Sequence, residues 1–176
     1  MKFTLVCLLI VTCFNNLEAQ IDINLSKIDS IHKNVLNYKI KDSADIAKVN
    51  YQIGELYRYS LISDSSYYYY HKAEKIFKAL KDDYNYAITL YGIAVIQTNE
   101  KDYTGSEVTS FEAIALLDGL KDTNDVKKYK SFIFNNLGIV FNELGLHEES
   151  IKYYKQAINL KNTLKGNFKS SIDNSI

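Results

Sequence analysis

Histidine is the side chain best suited to pass protons near neutral pH or to hold a divalent metal, and this chain has three, His32, His71 and His147. Each stands alone. His71 follows a run of four tyrosines, and His147 falls in a turn between two helical patterns, so all three read as surface residues. The acidic pairs Asp82-Asp83 and Glu148-Glu149 also sit at turns, where helix capping and solvation account for them better than general acid–base work. Lys165-Gly166-Asn167 lacks the second glycine that a phosphate cradle requires. These residues propose no catalytic centre, no metal and no cofactor. The rival reading, a hydrolytic enzyme, would rest on His71 or His147.

The two cysteines, Cys7 and Cys13, both lie in an N-terminal stretch unlike the rest. Lys2 gives a positive start, Phe3 to Phe14 form an apolar run, and Asn15 to Ala19 lead to Gln20. This pattern fits a secretory signal peptide over 1–19, cut after Ala19, with the large Leu17 leaving the exact site open. An uncleaved anchor or a core helix is the alternative, although the run falls short of the roughly 20 apolar residues that span a bilayer. Lipidation at Cys13 is disfavoured by Ile10-Val11-Thr12 before it. Removal of the leader leaves a mature chain without thiols, exported and expected in the periplasm.

The chain has 176 residues, 47% of them hydrophobic, which suffices for a real core. Lys plus Arg and Asp plus Glu each total 21, so no basic excess exists to hold nucleic acid. There is no proline and there are only seven glycines, as suits helices joined by short turns. The fold class expected is all-α.

Apolar periodicity supports this in detail. Residues 22–40 carry Ile23, Leu25, Ile28, Ile31, Val35, Leu36 and Ile40 at helical spacing, with polar residues between them that suit a capping helix within residues 20–43. Asp42-Ser43 caps a helix expected over 44–60, and Ser63-Asp64-Ser65 its partner over 65–81. A second pair is expected over 84–98 and 103–117, and a third over 125–144 and 147–164.

Two of these pairs share one pattern. Ile53-Gly54 is followed by Tyr57, Ser66, Tyr70 and Ala73, and Leu137-Gly138 by Phe141, Ser150, Tyr154 and Ala157; counted from each glycine the offsets are 3, 12, 16 and 19 in both. Alternating large and small residues at fixed offsets are what two closely crossing helices need. Tyr91-Gly92 with Val95 supplies a weaker anchor for the middle pair, whose Ser106, Ser110 and Ala113 fit only with two inserted residues. Ser171 to Ile176 resembles Phe132 to Leu137 and so suggests a fourth unit beginning within 169–176, which would make the chain part of a longer protein.

With those residues in place, the chain resembles the tetratricopeptide repeat family over residues 44–176. Phe134 takes the place of the family's first Trp, followed by Leu137-Gly138, Phe141, Ser150, Tyr154 and Ala157. Missing Trp and Pro, and Ser where Ala is usual, are the departures. The resemblance implies three hairpins over 44–168 stacked in a right-handed solenoid, with Gly54, Tyr57, Tyr70, Ala73, Gly92, Gly138, Phe141, Tyr154 and Ala157 at packing positions. It also implies a concave groove lined by the first helix of each pair. That groove would take Lys48, Tyr51, Glu55, Arg58 and Tyr59 from the first pair and Tyr86, Thr89, Ile93 and Gln97 from the second. The third would add Phe132, Asn135, Ile139, Asn142 and Glu143. Tyr51 and Glu55 stand where a carboxylate clamp for chaperone tails would need other residues, so that ligand is disfavoured.

The expectation is a non-catalytic scaffold that binds a protein or peptide, with neither nucleic acid nor metal as partner. An exported leader before Tyr-rich repeats is also similar to the sensory half of bacterial membrane histidine kinases and helix-turn-helix regulators. On that alternative, membrane contact would come through a C-terminal part beyond Ile176.

Overall fold

The computed structural model describes residues 19–31 and 42–173. Residues 1–18, which hold most of the expected leader, residues 32–41 with His32, and residues 174–176 lie outside the described set. Among the described residues there are seven helices and no strand. They are α1 over 19–31, α2 (Ser43–Tyr59), α3 (Ser63–Leu80), α4 (Asp83–Asn99), α5 (Tyr103–Asp118), α6 (Asn124–Glu143) and α7 (His147–Asp173). The chain divides into two compact units, residues 1–73 and 74–176.

Short polar side chains set the helix starts. Asp42, Asp82 and Asp102 accept from backbone N–H groups in the first turns of α2, α4 and α5, and Thr123 does the same for α6. The hairpin turns repeat one geometry. Leu61, Lys101 and Gly145 take left-handed φ values of 58°, 65° and 76°. In each turn the next residue's N–H reaches back five residues, as Ile62 to Tyr57, Asp102 to Gln97 and Leu146 to Phe141 at 3.0, 2.8 and 2.8 Å. This closure satisfies carbonyls that the helix end would otherwise leave unpaired.

The first unit contains the crossing of α2 with α3. The Ser66 hydroxyl donates to the Gly54 carbonyl at 2.8 Å, and a Cβ on Gly54 would meet the Tyr70 ring at 2.7 Å. Glycine is therefore required by the ring lying across the helix. Ala47, Ile53, Tyr70 and Ala73 are buried around it. Helix α1 adds Ile28 and Asn24 to the buried set, and the Asn24 amide donates to the Ser60 hydroxyl at 3.2 Å.

The second unit packs α4 against α5, α6 against α7, and α6 against both α4 and α5. At its second crossing the Ser150 hydroxyl donates to Gly138 at 2.8 Å, and Tyr154 lies 2.7 Å from where a Gly138 Cβ would be. At the first crossing, Ser106 donates to the carbonyl of Ala94, also at 2.8 Å. The middle anchor is thus Ile93-Ala94 and not Tyr91-Gly92.

From Ala94 the offsets to Gln97, Ser106, Ser110 and Ala113 are again 3, 12, 16 and 19. No insertion is needed. Alanine is accommodated because Ser110 replaces the tyrosine that bears on the glycine in the other two hairpins. Gly92 is buried, but it sits two residues before the crossing point.

Of the fourth unit expected within 169–176, residues 174–176 lie outside the described set. Helix α7 runs unbroken through Gly166 to Asp173, since one glycine weakens a helix by only about 1 kcal/mol and no proline follows to end it.

Candidate functional site

The two-residue shift at the middle anchor rotates every α4 assignment by about 200°. Tyr86, Thr89 and Ile93, expected in a groove, are instead 5%, 0% and 3% exposed. Tyr86 donates its hydroxyl to the Glu112 carboxylate and accepts from Lys78 at 3.1 Å, while the Thr89 hydroxyl turns back to the Asn85 carbonyl at 2.7 Å. Gln97 is half-buried, with its Oε1 buried and without a hydrogen-bond partner. All four belong to packing. The α4 positions equivalent to the expected groove residues of α2 and α6 are Ile88, Tyr91, Val95, Thr98 and Asn99.

On α6 the expected residues are accessible. Phe132 and Asn135 are half-buried, and Ile139, Asn142 and Glu143 are exposed. Tyr91 and Phe132 stack with ring centres 6.0 Å apart and planes at 28°. Tyr129 meets both edge-on, at 6.3 and 5.8 Å, and Tyr84 meets Tyr129 edge-on at 6.0 Å. These offset and edge-to-face arrangements are the favourable ones for aromatic quadrupoles. The Lys128 ammonium stands 5.6 Å from the Tyr129 ring centre and 5.9 Å from that of Phe132.

All four of these residues are half-buried, and their rings form one connected aromatic cluster. Burial, the neighbouring Tyr129 and Asp125 push the Tyr84 phenol up to about 12. It therefore stays protonated at neutral pH and can donate a hydrogen bond.

Beyond the platform, toward the C-terminal ends of α4 and α6, the character changes. There α4 carries Val95, Thr98 and Asn99, and α6 carries Asn135, Ile139 and Asn142, a mixture of aliphatic groups and amides. The Thr98 hydroxyl is tied inward, 2.7 Å from Ser106 Oγ and 3.2 Å from Asn136 Oδ1, while the Asn136 amide donates to Ser106 at 2.9 Å. This buried triad fixes α4, α5 and α6 to one another beneath the surface. The Tyr103 hydroxyl donates to Glu143 at 3.3 Å at the far margin.

The equivalent positions of the first unit are engaged internally. Arg58 donates to both Glu55 oxygens at 3.1 and 2.8 Å and to the Tyr70 hydroxyl at 3.1 Å, and Tyr70 donates to Glu55. Burial would lower the Arg58 guanidinium, but Glu55 more than offsets this and holds it above its usual range. Burial raises the Tyr70 phenol far above its usual range, as does the adjacent Glu55 carboxylate. Tyr51 is half-buried with its ring 5.8 Å from that of Tyr70. Lys48 is exposed with Asp45 at 3.6 Å, and Tyr59 is exposed beneath the Arg58 guanidinium at 4.2 Å. At the packing positions, Tyr57 stacks on Tyr69 at 5.6 Å and Phe141 on Tyr153 at 5.1 Å. Ala73 and Ala157 are buried, and Tyr154 is half-buried.

A separate open cleft of about 310 Å³ lies between α6 and α7, lined by Lys130, Phe134, Gln156, Asn159 and Leu160. His71 and His147 are both exposed, with the Tyr67 ring 4.9 Å from His71. Among the described residues no group of three or more His, Cys, Asp or Glu could hold a metal, and no helix is long and apolar enough to cross a membrane. Tyr84, Tyr91, Lys128 and Tyr129 escaped the sequence reading. Counting twelve residues back from Ser106 would have found Ala94 and, with it, Tyr91.

No protein-family model matches the chain, and no curated protein does. Among solved structures the chain is similar to a helical-repeat-like protein, BtubC (BKLC) from P. vanneervenii, at TM-score 0.59 and 18% identity. The match covers 68% of this chain and 48% of that one, so this chain corresponds to about half of BtubC's length. A likeness at that identity shows the all-helical fold.

Proposed function

We propose that the chain is a tetratricopeptide-type scaffold, a right-handed solenoid of hairpins, that holds an extended protein segment or peptide along α4 and α6 without catalysis. The observation that carries this reading is the half-buried platform of Tyr84, Tyr91, Tyr129 and Phe132 on the first helices of two successive hairpins. Aromatic rings offer large contact area at little entropic cost, and the neighbouring amides of Asn99, Asn135 and Asn142 can read a peptide backbone. The ligand best matched has apolar or aromatic side chains over the platform and exposed amide groups over the asparagines. We place the scaffold outside the cytoplasm, exported by its first nineteen residues.

The test is selection of random displayed peptides against the full chain, followed by binding measurements on variants. Tyr91→Ala and Phe132→Ala should each weaken the selected peptides at least tenfold, with helicity by circular dichroism unchanged. Thr89→Ser, at a buried position, should leave them unchanged. Peptides that bind both ring variants as tightly as the native chain would remove the groove reading. Export is tested by the mass of the protein recovered outside the cytoplasm, which should lack residues 1–19; a retained Met1 would refute it.

A further inference from the structure

In hairpin α4–α5 a tyrosine bridges the two helices. Tyr86 of α4 is buried, donates its hydroxyl to Glu112 of α5 and accepts from Lys78 of α3 at 3.1 Å. Leu90, one turn further along α4, is buried beside it in sequence. The repeat carries this arrangement forward with different residues. Forty-four positions on, Tyr86, Leu90, Glu112, Ala115 and Leu116 become Lys130, Phe134, Gln156, Asn159 and Leu160. Those five line the open cleft of about 310 Å³ between α6 and α7.

The cleft therefore occupies the place that a phenol ring bridges in the preceding hairpin. Lys130 does not substitute for that ring, because its ammonium is held toward α5 by Asp118 at 2.6 Å. Asp118 is itself the repeat counterpart of Lys78, forty residues on. Since Lys130 both lines the cleft and pairs with the last residue of α5, the cleft adjoins α5 and is built within one unit. Its walls suit a ring. Phe134 stacks on Tyr153 with centres 6.0 Å apart, which holds it in place, and Leu160 supplies an aliphatic surface. Gln156 stands where Glu112 accepts the Tyr86 hydroxyl, and an amide oxygen accepts in the same way. The volume is at the small end of the range for ligand pockets.

We infer that the α6–α7 cleft binds a phenol, an aromatic ring between Phe134 and Leu160 whose hydroxyl donates to Gln156 and accepts from Lys130. The ligand supplies in trans what Tyr86 supplies in cis one hairpin earlier. A free phenolic compound and the tyrosine side chain of a partner present this same chemistry. The site is separate from the Tyr91–Phe132 cluster and does not depend on that groove being used.

The experiment titrates p-cresol into the full chain, labelled with nitrogen-15, and follows the amide resonances. Saturable shifts centred on Phe134, Gln156 and Leu160 are expected, with a dissociation constant of about 1 mM for so small a ligand. 4-Methylanisole, which keeps the ring but cannot donate, should bind at least tenfold more weakly. Lys130→Tyr restores the bridging ring in cis and should abolish binding, and Gln156→Ala should weaken it at least fivefold with the fold unchanged. A parallel titration with N-acetyltyrosinamide separates the sources: binding as tight as that of p-cresol supports a partner's tyrosine, and its exclusion supports a free phenol. Absence of saturable shifts, shifts centred on Tyr91 and Tyr129, equal binding of the two small ligands, or native binding by both variants overturns the inference.

Discussion

Hairpins α4–α5 and α6–α7 share their turns, their offsets and their anchor hydrogen bond, yet the inside of each crossing is built differently. In α6–α7 the pair at the crossing is Gly138 with Tyr154, and the next ring pair is Phe141 stacked on Tyr153. In α4–α5 the corresponding pairs are Ala94 with Ser110 and Gln97 with Thr109. Hairpin α2–α3 follows the first style, with Gly54 and Tyr70 and with Tyr57 on Tyr69. Backbone register therefore survives exchange of the core residues when the exchange is made in pairs. A ring is removed from one helix and a methyl is added to the other. The middle hairpin does not gain fully from the exchange, since Gln97 Oε1 and Ser110 Oγ are left buried without partners.

Substitutions can break this comparison, beginning with the largest effect. Tyr70→Ala removes a fully buried ring and strands the Glu55 and Arg58 groups it bonds. Urea denaturation should show a loss of about 3–5 kcal/mol. At the matching position of the middle hairpin, Ser110→Ala should change stability little or raise it, because an unpaired hydroxyl disappears. Ser106→Ala cuts the triad with Thr98 and Asn136 and should cost about 1–3 kcal/mol through the unpaired buried amide. The turns allow a smaller contrast. Leu61→Gly relieves a left-handed leucine and should stabilise by about 1 kcal/mol, whereas Gly145→Ala should destabilise by a similar amount.

Alkaline titration gives a further, smaller effect. An ordinary tyrosine ionises near 10, whereas Tyr84 in the folded chain is pushed up to about 12. Below pH 10 neither state has lost the proton and the contribution is complete. Between pH 10 and 12 the unfolded state ionises first, so stability falls as pH rises. Absorbance at 295 nm should show a subset of tyrosines lagging behind the exposed ones, with the lag reduced in Tyr84→Phe.

Much of the architecture was legible without coordinates. The all-α class followed from the missing proline and the apolar periodicity, and the expected bounds of α2 to α6 fall within two residues of those observed. Capping aspartates and polar turns carry that information locally. The middle register did not. Its anchor glycine is replaced by Ala94, and Gly92 two residues earlier offered a false alternative that preserved a glycine but required an insertion. The compensation by Ser110 acts across two helices, which no local pattern records. The groove assignments on α4 inherited the shift, so buried Tyr86, Thr89 and Ile93 were taken for surface while Tyr91 was passed over. The helix expected over 147–164 runs on as α7 to Asp173, because the single Gly166 is too weak a breaker to end it.

The claim that joins these observations is that positions 138 and 154 are coupled as 94 and 110 are, and a double-mutant cycle measures it directly. Gly138→Ala, Tyr154→Ser and the combined variant would be compared with the native chain by urea denaturation. The account predicts that alanine at 138 is tolerated far better once Tyr154 is serine, with a coupling energy of about 1–2 kcal/mol in the range found for residues in contact. Strictly additive effects of the two substitutions would contradict it.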